Sequence, residues 1–217
     1  MPPWVVKLGG SLEAAGTLKP WVDALLGSGE PVVICPGGGC FADGARAAQA
    51  RWGFDDRTAH RMAILAMEQS AQLLCGLRPD LASITYYGEV GTAPGGRAAA
   101  VWFPAAELLD DADIPGSWDI TSDSLAAVLA RRVRARGLAL VKSAPLPAGP
   151  LHAGQTGDLL DVAFADYGSR CGCPVWLLSG TDSSGFERLV VRGDGGVRVL
   201  FEAPTRRNDG PPSSLSR

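Results

Sequence analysis

No apolar run in this chain approaches the ~20 residues that a membrane-spanning helix requires, so no membrane span is expected. An excess of charge of one sign is also lacking. Lysine and arginine number 20 against 23 aspartate and glutamate, a net charge of −3 that gives no electrostatic reason to expect nucleic-acid binding. After Met1-Pro2-Pro3 the sequence passes straight into an apolar segment, without the regions of a secretion signal, so a cytoplasmic location is expected. The five cysteines, Cys35, Cys40, Cys75, Cys171 and Cys173, are odd in number and scattered, which does not fit a disulfide framework and suits a reducing compartment. Cys171-Gly172-Cys173 places two thiols together without a partner cluster, a poor zinc site, and reads as structural. The Gly-x-x-x-x-Gly-Lys-Ser/Thr signature of a P-loop is missing as well.

What is present begins with Trp4–Leu8, a strand-like run that ends in Lys7-Leu8-Gly9-Gly10-Ser11. Gly9 and Gly10 carry no Cβ, so the backbone can turn sharply there and approach a ligand closely. A chain leaving such a turn with free N–H groups binds phosphate oxygens, and Lys7 adds a mobile positive charge. A helix over 18–26 follows, with Pro20 in its first turn, where a missing N–H costs little. Residues 31–35 read as a second strand stopped by Pro36, Gly37-Gly38-Gly39 as a second glycine turn, and 41–52 as a second helix. This repetition predicts parallel strands with crossover helices. It puts both glycine turns at the carboxyl ends of strands, the edge where open α/β sheets bind ligands.

Farther on, a long helix is predicted from about Thr58 to Leu77, with His60, Ile64, Met67, Ala71 and Leu74 on one inward face. Residues 81–85 and 98–103 read as strands around a glycine-rich loop over 86–97, and 104–109 as a short helix. Asp110, Asp111 and Asp113 read as a solvated turn. A helix capped by Thr121 or Ser122, with Asp123 in its first turn, is expected to run through Arg136 and stop at Gly137. Residues 138–141 form a strand ending at Lys142. A Pro/Gly loop over 145–157, a helix over 158–167, a strand over 174–178, a short element over 185–192 and an edge strand over 197–201 follow. The 217 residues, 46% hydrophobic, suit one α/β domain over 1–201, with a polar tail over 202–217 expected to be disordered.

Lys7 with its glycines, Gly37–Gly39, Asp123 and Lys142 thus fall on one edge of the proposed sheet. Phosphoryl transfer needs such a set. Glycine N–H groups hold the moving group, lysines neutralise its oxygens, and a carboxylate between the lysines keeps them in place without any protein nucleophile.

On these residues the chain resembles the amino acid kinase family. Lys7-Leu8-Gly9-Gly10-Ser11 is similar to its N-terminal lysine–glycine motif and Pro36-Gly37-Gly38-Gly39 to its second glycine loop. Thr121-Ser122-Asp123-Ser124, Leu140-Val141-Lys142-Ser143 and Leu160-Asp161-Val162-Ala163-Phe164 resemble segments of its UMP kinases. The resemblance implies a three-layer αβα sandwich around a mainly parallel sheet, ATP as phosphate donor, Mg²⁺, and a homo-oligomer. It implies Lys7, Asp123 and Lys142 as catalytic residues, and Gly9, Gly10, Ser11 and Gly38 around the ATP phosphates. Gly37, Gly38, Gly39, Asp43, Arg46 and His60 would surround a small phosphate acceptor, with no metal ligand from the protein. Within the family, Pro36–Asp43, Ala59–Met67 and Trp118–Ser124 resemble the small kinases of methanofuran biosynthesis, which convert a furanmethyl phosphate to its diphosphate. The Val-Asp-Gly-Val-Tyr loop with which UMP kinases bind nucleotide is replaced here by 145–157.

Each of these residues also has an ordinary reading. His60 fits a core histidine, Arg46 a surface arginine with a packed stem, Asp43 a cap or surface acid, Asp123 a helix-dipole aspartate and Lys142 a solvated strand end. Trp102 and Trp118 are candidates to line the acceptor pocket, although tryptophans usually belong to the core. The rivals to a furanmethyl phosphate kinase are a UMP kinase or other small-phosphate kinase, and a nucleotide-binding or storage module that transfers nothing.

Overall fold

The apolar runs become the strands of one sheet in the computed structural model, which describes residues 1–90 and 99–201. The strands are β1 (Trp4–Leu8), β2 (Val32–Pro36), β3 (Ala82–Ile84), β4 (Ala99–Trp102), β5 (Gly137–Lys142), β6 (Leu151–His152), β7 (Val175–Ser179) and β8 (Val197–Leu200). They form an 8-stranded sheet in the order β3-β4-β2-β1-β5-β7-β8-β6. Neighbouring strands are parallel except β7 and β8. The helices are α1 (Ser11–Ala14), α2 (Leu18–Gly27), α3 (Gly39–Trp52), α4 (Asp56–Leu77), α5 (Ala105–Leu108), α6 (Ser122–Arg132), α7 (Phe164–Ser169) and α8 (Gly185–Arg192).

Helices cover both faces of the sheet, so its central strands must be apolar on both sides. β1 shows this: all five of its residues are buried. Val5 packs into a core that includes Ile64 of α4, Leu125 of α6 and Phe164 of α7. Val6 and Leu8 point into a second core with Leu12 of α1, Trp21 and Leu25 of α2, and Phe186 of α8. The three-layer αβα sandwich around a mainly parallel sheet is therefore the fold observed. By the two-residue period of a strand, Lys7 shares the face of Val5, the side covered by α6. Among the described residues no helix is long and apolar enough to cross a membrane.

The structure departs from the sequence reading at several ends. α4 starts at Asp56, ahead of Thr58, because the Asp55 carboxylate accepts the Thr58 N–H at 2.7 Å and caps the helix from there. α6 ends at Arg132 and turns through Arg134, whose φ is +52°, so Gly137 stops no helix and instead opens β5. Its missing side chain makes room for a neighbour: a Cβ at Gly137 would stand 2.1 Å from the Trp4 ring. The 145–157 segment is not all loop, since it contains β6 and a 3₁₀ turn at Ala153–Gln155. The helix expected over 158–167 begins only at Phe164, because the Ala163 N–H is tied to the Asp119 carbonyl at 3.0 Å and Leu160 is extended. β8 is not the edge strand: it lies antiparallel to β7 with β6 outside it. In the acidic turn, Asp111 is covered rather than solvated and pairs with Arg132 at 3.3 Å. Part of the 86–97 loop and the 202–217 tail lie outside the described residues.

Candidate active site

β1 and β5 are parallel neighbours, and each carries a lysine at or next to its carboxyl end. α6 starts on the same side and brings Asp123, its second residue, between them. Lys7 Nζ stands 2.8 Å from one Asp123 oxygen and Lys142 Nζ 2.5 Å from the other. Lys7 and Asp123 are only 7% and 4% exposed. Charges this deep are tolerated only when paired. Two ammonium groups against one carboxylate leave the cluster net positive, a place for an anion. Burial would raise the Asp123 carboxyl, but Lys7 and Lys142 outweigh it and hold the group below its usual range. Burial, followed by the charge of Lys7, brings the Lys142 ammonium down to about 8, with Asp123 acting in the opposite sense. Cys35, which pairs with Lys7 in the sheet, is fully buried; burial pushes its thiol up to about 12, which removes it as a nucleophile.

The two glycine turns touch each other above this cluster. A Cβ at Gly10 would lie 2.2 Å from Gly39 Cα, and Gly39 has φ +54°. A Cβ at Gly9 would lie 3.1 Å from Lys7 Nζ. Only glycine permits the approach of Gly10 to Gly39, whereas at Gly9 the flexible end of Lys7 would have to shift. Gly37 ties the second turn to the first strand. Its N–H donates to the Leu8 carbonyl at 2.7 Å, and it holds the second turn against β1 rather than lining the main cleft.

That cleft, about 670 Å³, opens between the turns, α3, α4 and the start of α6. Gly10, Ser11, Gly38, Gly39, Asp43, Arg46 and His60 line it, together with Glu13 and Trp118, over an apolar floor of Ile64, Met67 and Leu125. Lys7, Asp123 and Lys142 are not among the lining residues; Gly9 covers Lys7 and the cleft-lining Ser122 precedes Asp123. His60 is 5% exposed. Its Nδ1 lies 3.0 Å from the Ser117 carbonyl, which can only accept, so Nδ1 carries the proton. Nε2 is buried without a hydrogen-bond partner among the described residues. Burial holds the imidazole below its usual value, and it is neutral at pH 7 in the free protein. Arg46 pairs with Asp43 at 3.0 Å and lies 4.3 Å over the Trp118 ring. Trp118 Nε1 donates in turn to Gln49 Oε1 at 2.7 Å. Trp102 does not line the cleft; it is fully buried in the core beside Tyr87.

The sequence reading assigns no role to two residues that the structure places at the site. Glu13 lies three residues beyond Gly10 and lines the cleft. Among the described residues its carboxylate has no ion pair and accepts only from the Cys40 thiol, at 3.5 Å. The glycine pair just before it is the available signal. Asp161 accepts from the Thr121 N–H at 2.9 Å, the Thr121 hydroxyl at 2.8 Å, the Ser124 N–H at 3.0 Å and the Ser124 hydroxyl at 2.5 Å. It caps α6 from a distant part of the chain, which a local capping pattern cannot reveal.

No protein-family model matches the chain, and no curated protein sequence matches it either. Solved structures do match. The uridylate kinase from Archaeoglobus fulgidus is 17% identical with a TM-score of 0.69, covering 92% of this chain and 100% of its own. The UMP kinase from Bacillus anthracis is 12% identical with a TM-score of 0.70, covering 93% and 97%. The UMP kinase from Ureaplasma parvum is 11% identical with a TM-score of 0.67, covering 91% and 98%. At these identities the likeness establishes the fold: this chain is built on the architecture of the uridylate kinases, in keeping with its resemblance to the amino acid kinase family.

Proposed function

We propose that the chain is a kinase that moves the γ-phosphate of ATP onto the phosphate of a small monoester, releasing ADP and a diphosphate. The observation that carries this reading is the Lys7–Asp123–Lys142 cluster beneath two glycine turns at the rim of a half-open cleft. An acceptor phosphate oxygen attacks the γ-phosphorus as the bond to the ADP oxygen breaks. Lys7 and Lys142 neutralise the oxygens that gain charge, and Asp123 keeps the two ammonium groups apart and aimed. Among the described residues no group of three or more His, Cys, Asp or Glu comes together as a metal cage. Mg²⁺ would arrive on the nucleotide, since that ion commonly takes its ligands from water and substrate phosphates. In this reading the enzyme works in the cytoplasm, as a homo-oligomer.

The acceptor we propose is (5-(aminomethyl)furan-3-yl)methyl phosphate. Arg46 supplies a guanidinium for its phosphate, Trp118 a ring for the furan, and Glu13 a carboxylate for its ammonium. Asp43, which the resemblance places around the acceptor, pairs with Arg46 at 3.0 Å. His60 completes the phosphate site by taking up a proton as the anion binds, which reverses the effect of burial. A second reading, UMP as acceptor, is favoured by the three solved structures described as uridylate or UMP kinases. Mass spectrometry of the products with the furan phosphate, UMP and the dephosphorylated furan alcohol at equal concentration separates the two. We expect the furan diphosphate, much less UDP, and nothing from the alcohol, with His60→Ala raising the acceptor KM and leaving the ATP KM unchanged. Abundant UDP without furan diphosphate would establish the second reading, and no transfer to any phosphate would refute both.

A further inference from the structure

An α-helix leaves its first N–H groups without intrahelical partners, and the residue before it normally supplies a side-chain oxygen. Thr121 precedes α6 and does not do so. Its hydroxyl donates instead to Asp161 at 2.8 Å. The Asp161 carboxylate arrives from the segment just before α7 and takes over the cap. One of its oxygens accepts the N–H of Thr121, the hydroxyl of Thr121 and the N–H of Ser124, and the other accepts the hydroxyl of Ser124. A second tie runs in parallel, from the Ala163 N–H to the Asp119 carbonyl at 3.0 Å.

Asp123 sits between the two residues that Asp161 grips. The rotation of the first turn of α6 about its axis decides where the Asp123 carboxylate points, and the bonds at Thr121 and Ser124 fix that rotation. We propose that Asp161 is a positioning residue for phosphoryl transfer, holding the first turn of α6 so that Asp123 meets Lys7 and Lys142 together. Asp161 touches neither the cleft nor either lysine. It acts through Thr121, Ser124 and the charge it places behind Lys142. The ionisable groups acting on Lys142 are Lys7, Asp123 and Asp161, and the two carboxylates favour its protonated form.

The inference rests on the kinase reading, but it has a readout that does not. Lys142 can be titrated by NMR on protein labelled with ¹³C at the lysine ε-carbons, in wild type and in Asp161→Asn. The variant amide keeps an oxygen for three of the donors, presents an NH₂ to Ser124 and removes the charge. We expect the Lys142 titration to move to lower pH, and kcat to fall by on the order of 10- to 100-fold, the scale for a misplaced reacting group, with both KM values nearly constant. Asp161→Ala, which removes every bond, should go further in the same direction. Should that variant fail to fold, Ser124→Ala, which deletes a single donor, should give a smaller fall in kcat and a smaller titration shift. An unmoved Lys142 titration in folded Asp161→Asn, or an unchanged kcat, overturns the proposal. A wild-type protein that transfers no phosphate defeats the kinase reading instead, and the Lys142 titration in Ser124→Ala, which keeps the Asp161 charge and breaks only its bond to the Ser124 hydroxyl, still decides whether Asp161 positions the cluster.

Discussion

In the proposed mechanism the transfer chemistry turns on Lys7, a buried residue whose removal gives a direct test. Removing its ammonium takes away a charge that faces the moving phosphate and leaves Asp123 with a single partner. We expect Lys7→Ala to fold and to lose on the order of 10²-fold in kcat, the usual loss for one electrostatic stabiliser. A folded variant with near-normal kcat would end that assignment. Lys142 supports a test by pH, because burial and Lys7 bring it down to about 8. In the proposed mechanism its charge stabilises the transferred group, so kcat/KM should fall as pH rises through about 8, and Lys142→Arg, whose guanidinium stays charged, should lack that alkaline limb. Stability should move the other way. Between about 8 and the ordinary value of 10.5 the unfolded chain holds the Lys142 proton more firmly than the folded one, so this residue's contribution to stability rises with pH across that window. Denaturant melts and rate profiles on the same samples check both signs.

At the scale of elements, the site depends on two turns lying closer than any pair of side chains would allow. Gly10→Ala would set a methyl 2.2 Å from Gly39 Cα, so the turns must part. The expected outcome is a loss of about 1–3 kcal/mol in stability together with most of the activity. Gly27→Ala, at the end of α2 where nothing stands within 4 Å, should leave both nearly untouched and serves as the control. Thermal midpoints and kcat for the pair give the answer. These turns are legible in the sequence because adjacent glycines at the end of an apolar strand cost chain entropy, which a close backbone approach offsets. β1 is legible to the residue from its apolar run, whereas for α8 the bounds 185–192 are legible and the helix itself is not. β6 is not: two residues have no periodicity, and its place comes from pairing with β8. Nor is the end of α6, where Arg134 adopts the left-handed conformation more usual for a glycine, three residues ahead of Gly137.

Across the whole molecule, the half of the sheet around β1 and β2 follows from the sequence, because strand, turn and helix succeed one another locally. The meeting of Lys7, Asp123 and Lys142 follows too, as three neighbours on one edge. The partition of carboxylates does not. Asp43 and Arg46 stand three apart on α3, a spacing from which their pairing can be read, but Glu13 carries no pattern of its own, and Asp161 acts on a helix that begins far earlier in the chain. For those two, which acid is free and which is engaged depends on side-chain geometry and on contacts between distant segments, and neither leaves a local period.

The chain between Lys142 and Asp161 leaves the charged cluster at one end and returns to it at the other. Between the two moorings it passes through β6 at the margin of the sheet. Closing a longer or shorter loop between fixed ends changes the entropy only slowly with length. The middle of this segment is therefore a cassette. Descendants of this sequence can lengthen it, shorten it or rewrite it while Lys142 and Asp161 keep their places at its two ends.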